Sequence, residues 1–128
     1  MDDVTQQLEE VRAEWAGRGV HWDDRADQVA EMADKLNLPL IQAADIQSGH
    51  KVSDLATGAG EPAISVAKTV GPDGHVSATD LVPEMLKGAQ RRVEAQGFDN
   101  FDFQIADMAR LPHDSNSYDR AICWFGLM

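Results

Sequence analysis

The sequence predicts an α/β fold, a parallel sheet with helices packed on it, on three observations. Residues 51–60, KVSDLATGAG, read as a strand running into a glycine turn, and Pro62 then opens a helix. Twenty residues after Gly60, the run HVSATD at 75–80 reads as a second strand that ends in the carboxylate of Asp80. Beyond it, helix-period and strand-period stretches follow each other to residue 125, the pattern of strands joined by crossover helices.

The N-terminal third predicts three helices. Val4, Leu8, Val11 and Trp15 recur at spacings of four, three and four, so residues 3–16 form an amphipathic helix that Gly17-Arg18-Gly19 ends. Asp23 or Asp24 then caps a second helix with the apolar stripe Ala26, Val29, Ala30, Ala33 and Leu36, stopping near Asn37. Pro39 suits the first turn of a short third helix through Ala44, and Ser48-Gly49 turns the chain into the first strand. Trp15 and Trp22 are apolar anchors for these helices or a roof over a site.

Ala63, Ile64, Ala67 and Val70 make residues 61–70 a helix that packs on the sheet, and Gly71-Pro72-Asp73-Gly74 returns the chain to the second strand. Met85, Leu86, Ala89 and Val93 give the next helix, residues 83–96, stopped by Gly97, with Arg91 and Arg92 on its solvated face. Phe101, Phe103 and Ile105 alternate with Asp102 and Gln104 as a third strand, ending at Ala106-Asp107-Met108. A polar loop at 113–117 leads into a fourth, largely buried strand over 118–125.

A chain of 128 residues, 43% hydrophobic, supports one domain and one core. Its formal charge of −11 argues against binding a phosphate backbone, which needs clustered Lys and Arg. No run approaches the ~18 apolar residues of a membrane span, and no basic-then-apolar signal pattern opens the sequence, so a cytoplasmic protein is expected. Cys123 is the single cysteine and reads as a small buried apolar residue; the four histidines are dispersed without metal-ligand spacing. No metal is expected, and His21 and His113 read as solvent-exposed loop residues.

The glycine stretch carries the chemistry. Gly58 and Gly60 lack a Cβ and let the backbone approach a ligand, whose negative groups the helix N-terminus would favour. Gly58-Ala59-Gly60-Glu61-Pro62-Ala63 fits the relaxed G-x-G-x-x-A pattern of dinucleotide sites, and Asp80 stands where a carboxylate can accept both hydroxyls of an adenosine ribose. The other reading of Asp80 is a cap for the helix from Pro83. Asp54 separates the possibilities, because it lies four residues before Gly58, where a dinucleotide-binding strand is apolar up to its first glycine.

Asp54-Leu55-Ala56-Thr57-Gly58-Ala59-Gly60 resembles the first motif of the class I S-adenosylmethionine-dependent methyltransferases, with Ala56 in place of the usual first glycine. VSDLATGAGEPAISVA, GHVSATDLVPEML, the segment from Asp107 to Leu111-Pro112, and YDRAICWFGLM bring it nearest to the ubiquinone/menaquinone-biosynthesis-type branch. The resemblance implies a Rossmann-like three-layer fold with strand order 3-2-1-4. It makes 48–128 the cofactor-binding half and 1–47 a helical cap. It implies S-adenosyl-L-methionine as cofactor, S-adenosyl-L-homocysteine as product and a small-molecule methyl acceptor, with no general base to nominate. Asp54, Ala56, Thr57, Gly58, Ala59 and Gly60 would line the cofactor, and Asp80 would take the ribose. Leu81 would pack on adenine with Met85 beside it or in the core; Asp107 would accept the adenine amino group or cap a turn, and Met108 would offer its amide. Backbone at Trp124 and Phe125 would meet the amino acid portion.

The family continues beyond a fourth strand with helices and three more strands. The apolar edge carrying Ile122, Trp124, Phe125 and Leu127 is therefore expected to self-associate or to pair with a missing half. Two other readings stand beside methyl transfer: a non-catalytic S-adenosylmethionine-binding fragment or interaction module, and a nicotinamide-dependent oxidoreductase.

Overall fold

The computed structural model describes residues 3–123, with the side chains of 19–31 excepted. Seven elements follow in order: α1 (Asp3–Ala43), β1 (Lys51–Leu55), α2 (Ala63–Val70), β2 (His75–Asp80), α3 (Pro83–Ala95), β3 (Phe101–Ile105) and β4 (Arg120–Cys123). The four strands are all parallel and lie in the order β3-β2-β1-β4, as expected.

Where three N-terminal helices were expected there is one, with Pro39 inside it. A glycine in a helix costs only ~1 kcal/mol relative to alanine, so Gly17 does not have to end a turn that its neighbours continue. The stop comes at the other end. Asp45 takes a φ of +52°, the Asp45 N–H donates to the Gln42 carbonyl at 3.1 Å, and the Ile46 N–H donates to the Ile41 carbonyl at 3.1 Å. That pair of bonds is a Schellman motif, and its usual apolar contact is present, since Ile41 and Ile46 are both in the core. α3 ends the same way through Gly97, with Phe98 N–H on the Val93 carbonyl at 3.2 Å.

Among the described side chains the helix phase runs through Ala33, which the predicted stripe includes, and through Asn37 and Ile41, which it does not, all three buried. Leu36, Val4 and Val11 consequently face outward, at 51%, 63% and 43% exposure.

Register puts Val52, Val76 and Phe101 in one row across the sheet and Ile122, Asp54, Ala78 and Phe103 in the next row on the same face. α2 covers that face: Ala63, Val66, Ala67 and Val70 join Val52, Val76 and Ile122 in one cluster with Ile41 and Ile46. The chain then reverses direction. β3 and β4 lie at opposite edges, so residues 106–119 have to cross the sheet, and right-handed crossover puts them on the face away from α2 and α3. The polar residues of that second face, Ser53, Ser77 and Thr79, are accordingly 3%, 0% and 1% exposed.

β4 pairs only with β1 among the described residues, so Ile122 is buried while Ala121 is exposed, and the strand is less covered than its sequence suggested. The reversal between β1 and β4 opens the crevice at their carboxyl ends where sheets of this kind take ligands.

Candidate functional site

The segment after β1 is tied down on three sides. Thr57 N–H donates to the Thr79 carbonyl at 2.9 Å, fixing the loop to β2, and Gly60 N–H closes a turn on the Thr57 carbonyl at 3.2 Å. From below, Asp54 is fully buried and accepts the Thr57 hydroxyl at 2.7 Å. Burial drives the Asp54 carboxyl up to about 7, opposed by the Thr57 bond and assisted by the carboxylates of Glu61 and Asp80. From α3, Arg92 Nη1 donates to the Ala59 carbonyl at 3.2 Å.

Ala56 adopts a φ of +54°, a left-handed conformation that costs an alanine ~1 kcal/mol. The glycine usual at this position of the motif would adopt that conformation without the cost. Gly60, at φ +111°, is a different case: a Cβ there would stand 3.3 Å from Ile64 Cδ1 and 3.5 Å from Ala89 Cα, so the loop lies directly on α2 and α3. At Gly58 a Cβ would meet Met85 Cε at 3.8 Å, which places the buried Met85 under the loop.

Asp80 bonds two amides. Its Oδ2 accepts Gly58 N–H and its Oδ1 accepts Val82 N–H, each at 2.9 Å. The Val82 bond does not cap α3, whose N-cap is Val82 itself with no side-chain bond to its first turn; it closes a turn ahead of the helix, while the second oxygen draws the carboxylate onto the glycine loop. An ionised carboxylate offers about four acceptor positions, so two bonds leave capacity for a hydroxyl. At the end of β3, Ala106 N–H continues the ladder to the Asp80 carbonyl at 3.0 Å, and Asp107 Oδ1 accepts Ala109 N–H at 2.9 Å as a turn cap. Met108 is half-buried beside it.

The structure thus ties Asp54 to Thr57 and Asp80 to Gly58 and sets Met85 beside Gly58, in the segment that holds Ala56, Ala59 and Gly60, with Leu81, Asp107 and Met108 at the adjoining strand ends. Trp124 and Phe125 lie outside the described residues, as do the side chains of His21 and Trp22. Trp15 is half-buried with the Arg18 guanidinium 5.2 Å from its ring centroid.

Three expectations need correction. Arg92 is not a solvated residue, because side chains on a helix lean toward its N-terminus and carry this guanidinium back to the loop. His113 is not an exposed loop histidine: its ring is half-buried, 4.7 Å from that of Tyr118, and its Nε2 is enclosed. Cys123 is half-buried at the sheet edge and not a core residue.

Two further residues escaped the sequence reading. Arg12 of α1 donates through Nε to the Leu81 carbonyl at 3.0 Å, and a cleft of about 380 Å³ opens beside it between Glu9, Arg12, Ala13 and Ala16 of α1 and Pro83 and Glu84 of α3. That cleft adjoins Leu81 and is separate from the glycine loop. Glu61, next after Gly60, is pushed above the usual carboxylate range by burial and receives Asn37 from α1 at 2.8 Å. Its signal was available in the sequence: Asn37 is the polar residue at the middle of the Ala33–Ile41 spacing of four and four.

Glu61 and Asp80 put two carboxylates beside the loop, with Asp54, its carboxyl raised by burial, beneath it. A ligand with net positive charge suits them, and a sulfonium and an ammonium set against one carboxylate give such a charge. Among the described residues no group of three or more His, Cys, Asp or Glu could hold a metal ion, and no helix is long and apolar enough to cross a membrane.

Residues 52–128 match the family of methyltransferase domains. The ubiquinone/menaquinone biosynthesis C-methyltransferase UbiE of Coxiella burnetii is 37% identical over 88 residues, 68% of this chain and 35% of that protein. The arsenite methyltransferase of Halobacterium salinarum is 37% identical over 92 residues, 68% of this chain and 24% of its own length. Among solved structures, a SAM-dependent methyltransferase from Aquifex aeolicus superposes with a TM-score of 0.63 at 24% identity, over 76% of this chain and 55% of the other, which shows the shared fold. The chain spans less than half the length of the curated relatives it matches.

The fold and the glycine loop define a class I S-adenosylmethionine-dependent methyltransferase domain. The chain belongs to that family, in the neighbourhood of the UbiE-type members, and its cofactor is S-adenosyl-L-methionine.

Proposed function

We propose that residues 48–128 hold S-adenosyl-L-methionine on the glycine loop, with residues 1–47 as a cap, and that the chain serves methyl transfer to a small-molecule acceptor. The bound cofactor supplies an electrophilic sulfonium methyl, which an acceptor lone pair takes by in-line displacement as the carbon–sulfur bond breaks and the neutral thioether leaves. Position and exclusion of water do most of such work, and no general base is assigned.

The observation that carries the reading is the bond between Asp80 and Gly58, which puts a carboxylate at the end of β2 against a loop able to approach a ligand closely. In this reading Asp80 accepts the ribose hydroxyls and Leu81, with Met85 below, contacts adenine. Asp107 and the Met108 amide mark the adenine edge, while Asp54, Thr57 and Ala59 shape the floor and mouth beside the amino acid portion. The relatives are named for ubiquinone/menaquinone biosynthesis and for arsenite, acceptors different enough that the proposal stays at the level of a small molecule.

Isothermal titration of S-adenosylhomocysteine into the chain, beside the Asp80→Ala variant, is the test. Loss of the carboxylate should weaken binding by about 1–3 kcal/mol, the range for leaving polar partners unmade. Equal affinity in the two proteins would remove Asp80 from the site. NADH that competes with S-adenosylhomocysteine would reopen the oxidoreductase reading.

A further inference from the structure

The buried face of α1 is apolar at Ala33 and Ile41 and polar between them, where Asn37 is 3% exposed. Its amide Nδ2 donates to Glu61 Oε2 at 2.8 Å and lies 3.0 Å from Ser65 Oγ. Ser65, 4% exposed, hydrogen-bonds Asp34 Oδ1 at 2.8 Å and approaches Glu61 Oε2 at 3.2 Å. Lys68 closes the outer end of the cluster on Asp34 at 2.9 Å, in solvent. The inner end is the sequence neighbour of Gly60.

We infer that Asn37 is a positioning residue that couples the seating of α1 to the order of the glycine loop, and through it to cofactor affinity. A buried amide opposite a half-buried carboxylate favours one register, because sliding α1 by a turn would take the Asn37 amide away from Glu61 and leave that carboxylate only the donor from Ser65. Glu61 in turn fixes the exit of the loop, where the Gly60 carbonyl accepts Ile64 N–H at 2.9 Å to start α2. Whatever orders the loop therefore favours the docked helix, and by linkage the docked helix favours the ordered loop to the same degree. The inference rests on the cofactor lying on that loop.

Hydrogen exchange with and without S-adenosylhomocysteine, together with titration, tests it. In the parent chain the ligand should raise the protection of residues 33–43 beyond that of the hydrogen-bonded Gly97 and Phe98 amides, which precede β3 at the end of the sheet away from the glycine loop. No such gain in the parent overturns the coupling whatever any variant does. In Asn37→Leu the affinity should fall about tenfold, roughly one buried hydrogen bond to a charged group, and the ligand-induced protection of 33–43 should disappear. Lys35→Met, on the exposed side of the same helix, serves as control and should keep both. Parental affinity in a folded Asn37→Leu overturns the assignment. Failure of the cofactor reading is separable, because it appears as absence of binding in the parent or indifference to Asp80→Ala.

Discussion

Asp54 is 0% exposed and its carboxyl is raised to about 7 by lost hydration, so it is a titrating group inside the fold. In the unfolded chain the same group ionises near 3.8. Between these values the folded state holds a proton that the unfolded state has released, so this group favours folding below about pH 4 and that contribution is lost as pH rises through 7. The separation of those two values corresponds to ~4 kcal/mol as a ceiling. Glu61 is displaced in the same direction, mainly by burial; Asp34, lowered chiefly by its bond to Lys68, acts in the opposite sense and more weakly because it is exposed. Urea unfolding at pH 5 and pH 8 should show the parent less stable at the higher pH, and Asp54→Asn should remove most of the difference. A parent curve that is flat or rises with pH would sink this account. At this scale the sequence disclosed the residues whose spacing is chemical, Asp54, Gly58 and Asp80, because a loop between two strand ends fixes their neighbourhood. It could not disclose Arg92, whose role depends on how far a side chain reaches back along α3.

The short elements β1, β2, β3, α2 and α3 fall nearly to the residue where the sequence puts them, because glycine, proline and Asp turns bound each of them closely, even though β1 and β2 are buried on both faces. α1 was misread for a physical reason. Glycines mark where a helix can stop, but whether it does depends on whether an alternative hydrogen-bond arrangement is supplied, and here one is supplied only at Asp45. A substitution follows from the continuity. A Cβ on Gly17 would meet nothing within 4 Å, so Gly17→Ala should strengthen α1 by up to ~1 kcal/mol. Slower amide exchange around residue 17, with cofactor affinity unchanged, is the expected result. Faster exchange would show that the chain breaks at this glycine after all.

Across the whole molecule, three of the four strands are legible as a buried parallel sheet, and the fourth depends on what lies next to it. β4 has a hydrogen-bonding edge that no described residue fills. Such an edge recruits another strand, and we expect concentration-dependent self-association, measured by sedimentation. The formal charge of −11 opposes it, so added salt should strengthen it by screening. A monomer mass independent of both protein concentration and salt would count against the edge as an interface.

The reversal of chain direction at β1 also divides the site by the length of chain that each wall encloses. Gly58 and Asp80 are 22 residues apart, whereas Lys51, at the foot of β1, meets Asp119, at the foot of β4, across 68. Closing the longer loop costs about 1 kcal/mol more in chain entropy. The wall of the crevice formed by β1 and β2 is thus assembled from contacts nearer in sequence than the wall formed by β4. In the proposed reading, the half that would grip adenosine closes the shorter loop, and the half that would meet the amino acid portion of the cofactor closes the longer one.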